Sequence, residues 1–308
     1  MKRSGTLKKT LALLVLCIAT TSCTNSEWFL SFLYNRLDNN MYSEMSGYAD
    51  FSRDQKTQIR DLIDRFHHWH RVTQLPLYSD FLREISEEIT TTNQISYEQI
   101  TNWSQQIERF VIYSSHCNPM NVASSIMVSL TDEQVEEIYA YQLETHDEAV
   151  EQLTKDSDEE HFEDVSKGVA KNLRRIDLSI SDTQEEALIT TIKNLPDLRQ
   201  VGLELSWQWN QELYELLKTR NQSEFAVNVQ RHLLSLETLV EDNHPTEVSK
   251  IRRLWNEFFV GIINENIADS QDFPRFLQRL SKNLDSISQK ISRDQQELNP
   301  KDYCNIEI

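Results

Sequence analysis

The 308-residue chain carries 49 acidic against 31 basic residues, a formal net charge of −18, with only 5 glycines and 6 prolines. So few turn formers exclude an extensive strand-and-turn architecture, while plentiful Leu, Glu, Gln, Lys and Arg favour helix. The acidic balance excludes nucleic acid and anionic lipid as partners held by bulk electrostatics, and 39% hydrophobic residues supply a core, so disorder is not the default.

Residues 1–22 read as a targeting segment. "MKRSGTLKK" supplies Lys2, Arg3, Lys8 and Lys9, "LALLVLCIA" is an apolar run too short to span a membrane comfortably, and "TTSC" ends at Cys23. A Cys directly after small residues resembles a bacterial lipoprotein signal, which implies cleavage before Cys23 and lipid on its thiol and amine. The alternatives are an ordinary secretory signal cut near the same place, or a retained signal anchor. Thr24 stands where inner-membrane retention typically has Asp, so the expected location is the outer membrane, facing the periplasm. No second apolar run of about 18 residues follows, so the body is expected to be soluble.

The body repeats one short pattern: apolar, Ser or Thr, any, any, Gln. It occurs as "FSRDQ" at 51, "ISYEQ" at 95, "LTDEQ" at 130, "ISDTQ" at 180 and "ISRDQ" at 291. Composition alone predicts about one such match. The pattern is a capping box, in which Ser or Thr accepts from the backbone N–H three residues on and Gln reaches back to the N-cap N–H. Acids in the first turns, such as Asp54, Glu98, Asp132 and Asp182, suit the helix dipole. Ile95 with Ile100 and Leu130 with Val135 are expected to form hydrophobic staples.

The stripes that follow have helical period. Ile59, Leu62, Ile63, Phe66 and Trp69 share a face, as do Val135, Ile138, Tyr139, Leu143, Val150 and Leu153, and then Leu198, Val201, Leu205, Trp209, Leu213 and Leu216. Asn118-Pro119 is a further start signal, Pro245 and Pro274 open two more helices, and Pro76 and Pro196 should break or kink the helices that reach them. Helices are expected near 28–46, 52–74, 76–90, 96–116, 119–129, 131–176, 181–194, 197–218, 222–241, 246–268 and 272–290. The 131–176 segment is either one long helix or breaks around "KDSDEEH" or at Gly168. The expected fold is all-α, an elongated multi-helix bundle or curved helical array with short loops. One domain spans 23–295, with an irregular tail 296–308; the alternative splits two domains near residue 178.

Cys17 leaves with the leader and Cys23 takes lipid, which leaves Cys117 and Cys304 in an oxidising compartment. They either form a disulfide that ties the tail to the body or remain two thiols.

Three stretches carry a family resemblance. "FLYNRLD" (Phe32 to Asp38), "FSRDQ" and "WHRVTQLPLYSDFLREI" (Trp69 to Ile85) together resemble a family of uncharacterised Gram-negative lipoproteins. In that family a Tyr-Asn-Arg-x-Asp motif follows the lipidated Cys, and a capped helix start and a Trp-His-Arg…Leu-Pro-x-Tyr segment come next. The resemblance covers residues 23–90 and implies an envelope lipoprotein without a known activity. The repeated helix start is also similar to the Leu-Thr-x-x-Gln motif of Spy- and CpxP-type periplasmic proteins, small all-α proteins that bind unfolded clients or a sensor kinase. That similarity implies chaperone-like binding.

Candidate sites follow. Tyr34, Asn35, Arg36 and Asp38 lie close to the anchor, and Trp69, His70 and Arg71 lie in the second matching stretch. Arg36 is expected to pair with a carboxylate, and Asp38 with a basic residue such as Arg71. The group either locks the N-terminal segment onto the body or forms a polar binding site near the membrane. Asp64 with His67 and His68 is a weak metal candidate, since a carboxylate and two imidazoles suit zinc or copper. Adjacent residues on a helix point about 100° apart, which favours plain polar residues beside a core Trp69. Ten acids between Glu144 and Asp164 read as a solvated face or as a surface for basic clients. Trp207, Trp209, Tyr214, Trp255, Phe258 and Phe259 read as core, or as client or lipid contacts where they line a groove. No Gly-rich phosphate loop, G-x-S-x-G, H-E-x-x-H or C-x-x-C occurs, and no cofactor is expected.

The functional expectation is a lipid-anchored periplasmic protein that binds protein clients or an envelope partner without catalysis. One alternative is a dedicated assembly or structural factor. Another is a metal-dependent enzyme using His67, His68 and His70. Lipid or small-molecule carriage would be favoured by an apolar cavity.

Overall fold

The computed structural model describes residues 27–92, 94–155, 157–290 and 303–304. Cys23, the motif copy at 291–295 and all of the tail except Tyr303 and Cys304 lie outside them. The fold is all-α, with no strand among the described residues.

In chain order the helices are α1 (Glu27–Tyr34), α2 (Leu37–Met45), α3 (Arg53–Trp69), a π-helical turn (His70–Gln74), α4 (Leu75–Thr91), α5 (Tyr97–His116), α6 (Ser124–Val128) and α7 (Asp132–Lys155). There follow α8 (Asp158–Arg175), α9 (Asp182–Asn194), α10 (Arg199–Lys218), α11 (Phe225–Leu234), α12 (Leu239–Asn243), α13 (Pro245–Asp269) and α14 (Asp272–Gln289).

Three expected helices differ, and the open choice at 131–176 falls to a break within "KDSDEEH". The one near 28–46 is interrupted at Asn35 and Arg36, because the Tyr34 carbonyl and the Asn35 side chain are taken by residues of the π-turn region. The stretch after Asn118-Pro119 winds through turns before α6: the Asn118 side chain accepts from the Asn121 N–H, and Asn121 Nδ2 donates to the Ser115 carbonyl. The 131–176 segment breaks before α8, where Ser157 and Glu160 build a capping box with Glu in place of Gln. The 222–241 segment divides because the His232 carbonyl accepts from the Trp209 indole and the Ser235 hydroxyl. Pro196 interrupts the chain between α9 and α10, and Pro245 opens α13, as their chemistry requires.

Two apolar cores organise the helices. One is built from α4, α5, α8, α9, α13 and α14 and includes Ile89, Ile95, Ile100, Leu188 and Ile262. It draws on residues from both sides of position 178. The other joins α2, α3, α6, α7, α10 and α11 through Ile59, Ile63, Val135, Leu213, Phe225 and Val229. Both expected staple pairs are buried, Ile95 and Ile100 in the first core, Leu130 and Val135 in the second. Of the long stripe on α7 only Val135 is buried, while Leu143 and Val150 face solvent. Buried Arg220 donates to the Leu130 carbonyl and pairs with Asp132, tying the end of α10 to the start of α7.

The described motif copies all form capping boxes, at Ser52–Gln55, Ser96–Gln99, Thr131–Gln134 and Ser181–Gln184. They also meet one another. Gln55 Nε2 donates to Gln134 Oε1 at 3.0 Å, and Gln134 Nε2 donates back to Gln55 Oε1 at 2.8 Å. The remaining hydrogens go to the Ser129 carbonyl and to the Asp50 carbonyl. Both buried amides are therefore saturated. The other two copies are held by α13: Asn264 brackets the N–H and carbonyl of Ile95, and Asn266 brackets those of Ser179. Each asparagine stands in for a neighbouring backbone strand.

A capping box accepts Glu as readily as Gln, but the reciprocal amide pair does not. Gln55→Glu would bury a carboxylate against Gln134 Oε1 and the Ser129 carbonyl. We expect it to cost about 3 kcal/mol in urea denaturation. A loss below about 0.5 kcal/mol would mean that the pair contributes nothing beyond capping.

Candidate functional site

The inward face of α3 and α4 steps through Ile59, Ile63, Phe66, His70, Leu75, Ser79, Leu82, Ser86 and Ile89. Every step is three or four residues except the one from His70 to Leu75. An unbroken α-helix would rotate the second half of this stripe away from the first. The π-turn absorbs the extra residue, with the Leu75 N–H bonded to the His70 carbonyl. Pro76 favours the distortion, since it has no N–H for the carbonyl four residues back and its ring crowds that carbonyl. Instead of breaking the helix, Pro76 sits in the first turn of α4 and the helical path continues.

The turn presents His70 and Arg71 to α1. The Tyr34 hydroxyl lies 3.0 Å from His70 Nδ1 and 3.4 Å from the His67 carbonyl. His67 Nε2 lies 3.1 Å from the Tyr34 carbonyl, and its ring stacks on Tyr34 at 4.5 Å. Arg71 donates to Asn35 Oδ1 at 2.6 Å and to the Lys290 carbonyl. Tyr34 and Asn35 of the first motif and His67, His70 and Arg71 around the second thus form one lock, with Tyr34, His67, His70 and Arg71 buried. Two expected pairings are corrected. Arg71 is held by Asn35 and not by Asp38, which lies close enough to Asp64 to help raise its pKa after burial has done so first. Arg36, which is exposed, lies 4.4 Å over the Phe32 ring and not on a carboxylate.

Trp69 is buried beside the lock, against Phe66, Tyr113 and Tyr303. Cys117 is joined to Cys304 in a disulfide with a Cα separation of 5.7 Å, which holds Tyr303 over this aromatic group. Among the described residues no three His, Cys, Asp or Glu side chains converge to hold a metal ion. His67 and His70 are committed to Tyr34, and His68 is buried one position along. The acidic run lies on the end of α7 and the start of α8, where Glu151 and Glu163 pair locally with Lys155 and Lys167.

On the other side of His70 lies an apolar cavity of about 320 Å³, within the range of small-molecule sites. Tyr78, Phe81, Leu82 and Ile85 of α4 form one wall, and Ile100, Trp103, Ile107, Phe110 and Val111 of α5 a second. Phe259 and Ile263 of α13, with Phe273, Phe276, Leu277, Leu280 and Leu284 of α14, close it, and Ile176 and Leu178 form one end. Asp177 between them adopts a left-handed φ of 58°, which turns both neighbours inward while its carboxylate pairs with Arg279. No Asp, Glu, Lys or Arg lines the cavity. Of the aromatics singled out in sequence, only Phe259 lines it. Trp209 and Phe258 are core, Tyr214 stacks on Tyr139 of α7, and Trp207 stacks on His146 of α7. The missed residues were Tyr78, Phe81, Trp103, Phe110 and Phe273; their helical spacing marks a buried face but does not distinguish a filled face from a hollow one.

The polar groups at the His70 end are neutral at pH 7. Burial pushes Tyr78 up to about 12, against the hydrogen bond with Ser114. Burial pushes His70 down to about 3, with His67 and Arg71 adding to it. Burial also pushes His67 down to about 4, with Arg71 adding and the Tyr34 carbonyl opposing. An unfolded imidazole titrates near 6.5. Below that pH the unfolded chain takes up protons that the folded chain refuses. The stabilisation is therefore complete above about pH 6.5 and is lost as the pH falls towards 4 and then 3. Each histidine contributes about 1.4 kcal/mol per pH unit in this window. Urea denaturation between pH 5.5 and 4.5 should approach this slope, and His70→Gln should remove about half of it. An unchanged slope would show that His70 does not stay neutral in the fold.

No curated protein and no solved structure matches the chain. The model of a family of unknown function, DUF6279, matches residues 47–244, which hold the π-turn, α4, α5 and the Ile176–Leu178 end of the cavity but neither α1 nor α14. That match covers more than half of the chain, and the protein belongs to this family.

Proposed function

We propose that this protein is a lipid-tethered component of the cell envelope that works by binding and not by catalysis. Its binding element is the apolar cavity between α4, α5, α13 and α14, which holds an apolar group of a client or an envelope partner. The cavity carries this reading: its lining has no charge, and every polar side chain beside it already has a partner. No group there is arranged to move a proton or attack a substrate. Cys23 carries the lipid, and the outer membrane facing the periplasm is the proposed location. Two observations support it. A disulfide suits an oxidising compartment. No helix among the described residues is long and apolar enough to cross a membrane, which suits attachment by lipid. The lock between α1 and the π-turn supports a mechanical role for the N-terminal segment, fastening the tethered end beside the cavity.

Ile107 lines the cavity and is 42% exposed, so it marks the mouth. A photoreactive residue at 107 in the full-length protein in cells should crosslink efficiently. The same residue at Val227, exposed but away from the cavity, should not. Equal yields at the two positions would sink the cavity reading. Incorporation of labelled palmitate that survives Cys23→Ser would sink the proposed tether.

A further inference from the structure

We propose that the cavity takes a single unbranched hydrocarbon chain, the acyl or alkyl chain of a one-chain amphiphile, and not a segment of polypeptide. This rests on the cavity being the binding element. The argument turns on what the walls can offer. A peptide brings an N–H and a carbonyl at every residue, and burying them without partners is unfavourable. Here few partners are offered to them, because the polar side chains along the walls already bond to one another or to the body. The Ser104 hydroxyl is bonded to Asn256 Oδ1 at 2.9 Å, Tyr78 to Ser114 at 2.6 Å and His70 to Tyr34 at 3.0 Å. The Trp103 indole donates outward to Glu88 at 3.0 Å. The walls are α-helices, whose backbone groups bond within each helix. The Leu178 N–H at the closed end is already given to the Leu173 carbonyl. A hydrocarbon chain asks for none of these groups.

Shape agrees. The cavity follows α5 from Ile100 to Ser114, a path of roughly 21 Å at the helical rise, which suits an extended occupant. A charged head group has no counter-ion inside, so it stays at the mouth beside Ile107, in solvent.

The test uses the full chain carrying Cys23→Ser, so that neither its own lipid nor detergent competes. An apolar naphthylamine dye is bound first and then displaced. Straight-chain alkanoates should displace it, with affinity rising about fourfold for each added methylene until the cavity is full. An N-acylated peptide that displaces as well as the free acid identifies a lipidated protein as a source of the chain; displacement by the free acid alone identifies a soluble amphiphile. Val111→Phe, which fills the cavity, and Ile107→Asp, at an exposed position that folding tolerates, should each lower affinity at least tenfold. Displacement by an unacylated amphipathic peptide, with no response to alkanoates, would overturn the inference while leaving an apolar-binding cavity in place. Failure of the dye to bind, or binding unaffected by both variants, would overturn the cavity reading itself.

Discussion

Between His70 and Leu75 the inward face of a long helix advances by five residues instead of three or four, and the backbone answers with a π-turn. Both cores depend on that register. Upstream, Ile59, Ile63 and Phe66 face α2, α6 and the disulfide group; downstream, Leu75, Ser79, Ser86 and Ile89 face α14 and α5. The same residue ties three elements together. The His70 carbonyl closes the π-turn, Nδ1 meets Tyr34, and the ring forms the neutral end of the cavity. A protonated His70 would place charge in a site built without any, so burial and the lock serve the fold and the cavity together.

The repeated capping motif has a second role that follows from the chemistry of its last residue. Gln serves the box with one oxygen lone pair and keeps an NH₂ group, and at Gln55 and Gln134 that group is spent on tertiary contacts. Gln55 and Gln134 bond to each other, so two helix starts distant in sequence are brought into one place. The Ser157 box uses Glu160, has no such spare donor, and remains on the surface. Helix initiation and helix placement are thus encoded by the same four residues, and the choice between Gln and Glu separates them.

The cavity sits where this placement leaves space. Helices α4 and α14 pack along each other, while α5 and α13 are set by their own contacts, among them the Asn264 clamp on Ile95 and the Ser104–Asn256 hydrogen bond. Large rings at Tyr78, Phe81, Trp103, Phe110 and Phe273 then hold the walls apart. Interiors normally close around such rings, and a lined, uncharged hollow among them is the feature on which the proposed binding role rests.

Much of the architecture was legible in the residues alone. The all-α class follows from composition and period, and the helix starts at Ser52, Ser96, Thr131 and Ser181 follow from capping chemistry, because both are local properties. At 70–75 the sequence offered only Pro76 as a break or kink, and the π-turn that carries the helix through it came from the structure. The tertiary structure decided the rest. It paired Arg71 with Asn35 instead of Asp38, set Arg36 on Phe32, joined Gln55 to Gln134, and committed His67 and His70 to Tyr34 instead of a metal. It also opened the cavity. Apart from Arg36 on Phe32, those outcomes depend on which side chains arrive together from positions more than 30 residues apart. Periodicity assigns a residue to an inward face, but only the packing of that face against others determines whether the space between them is filled.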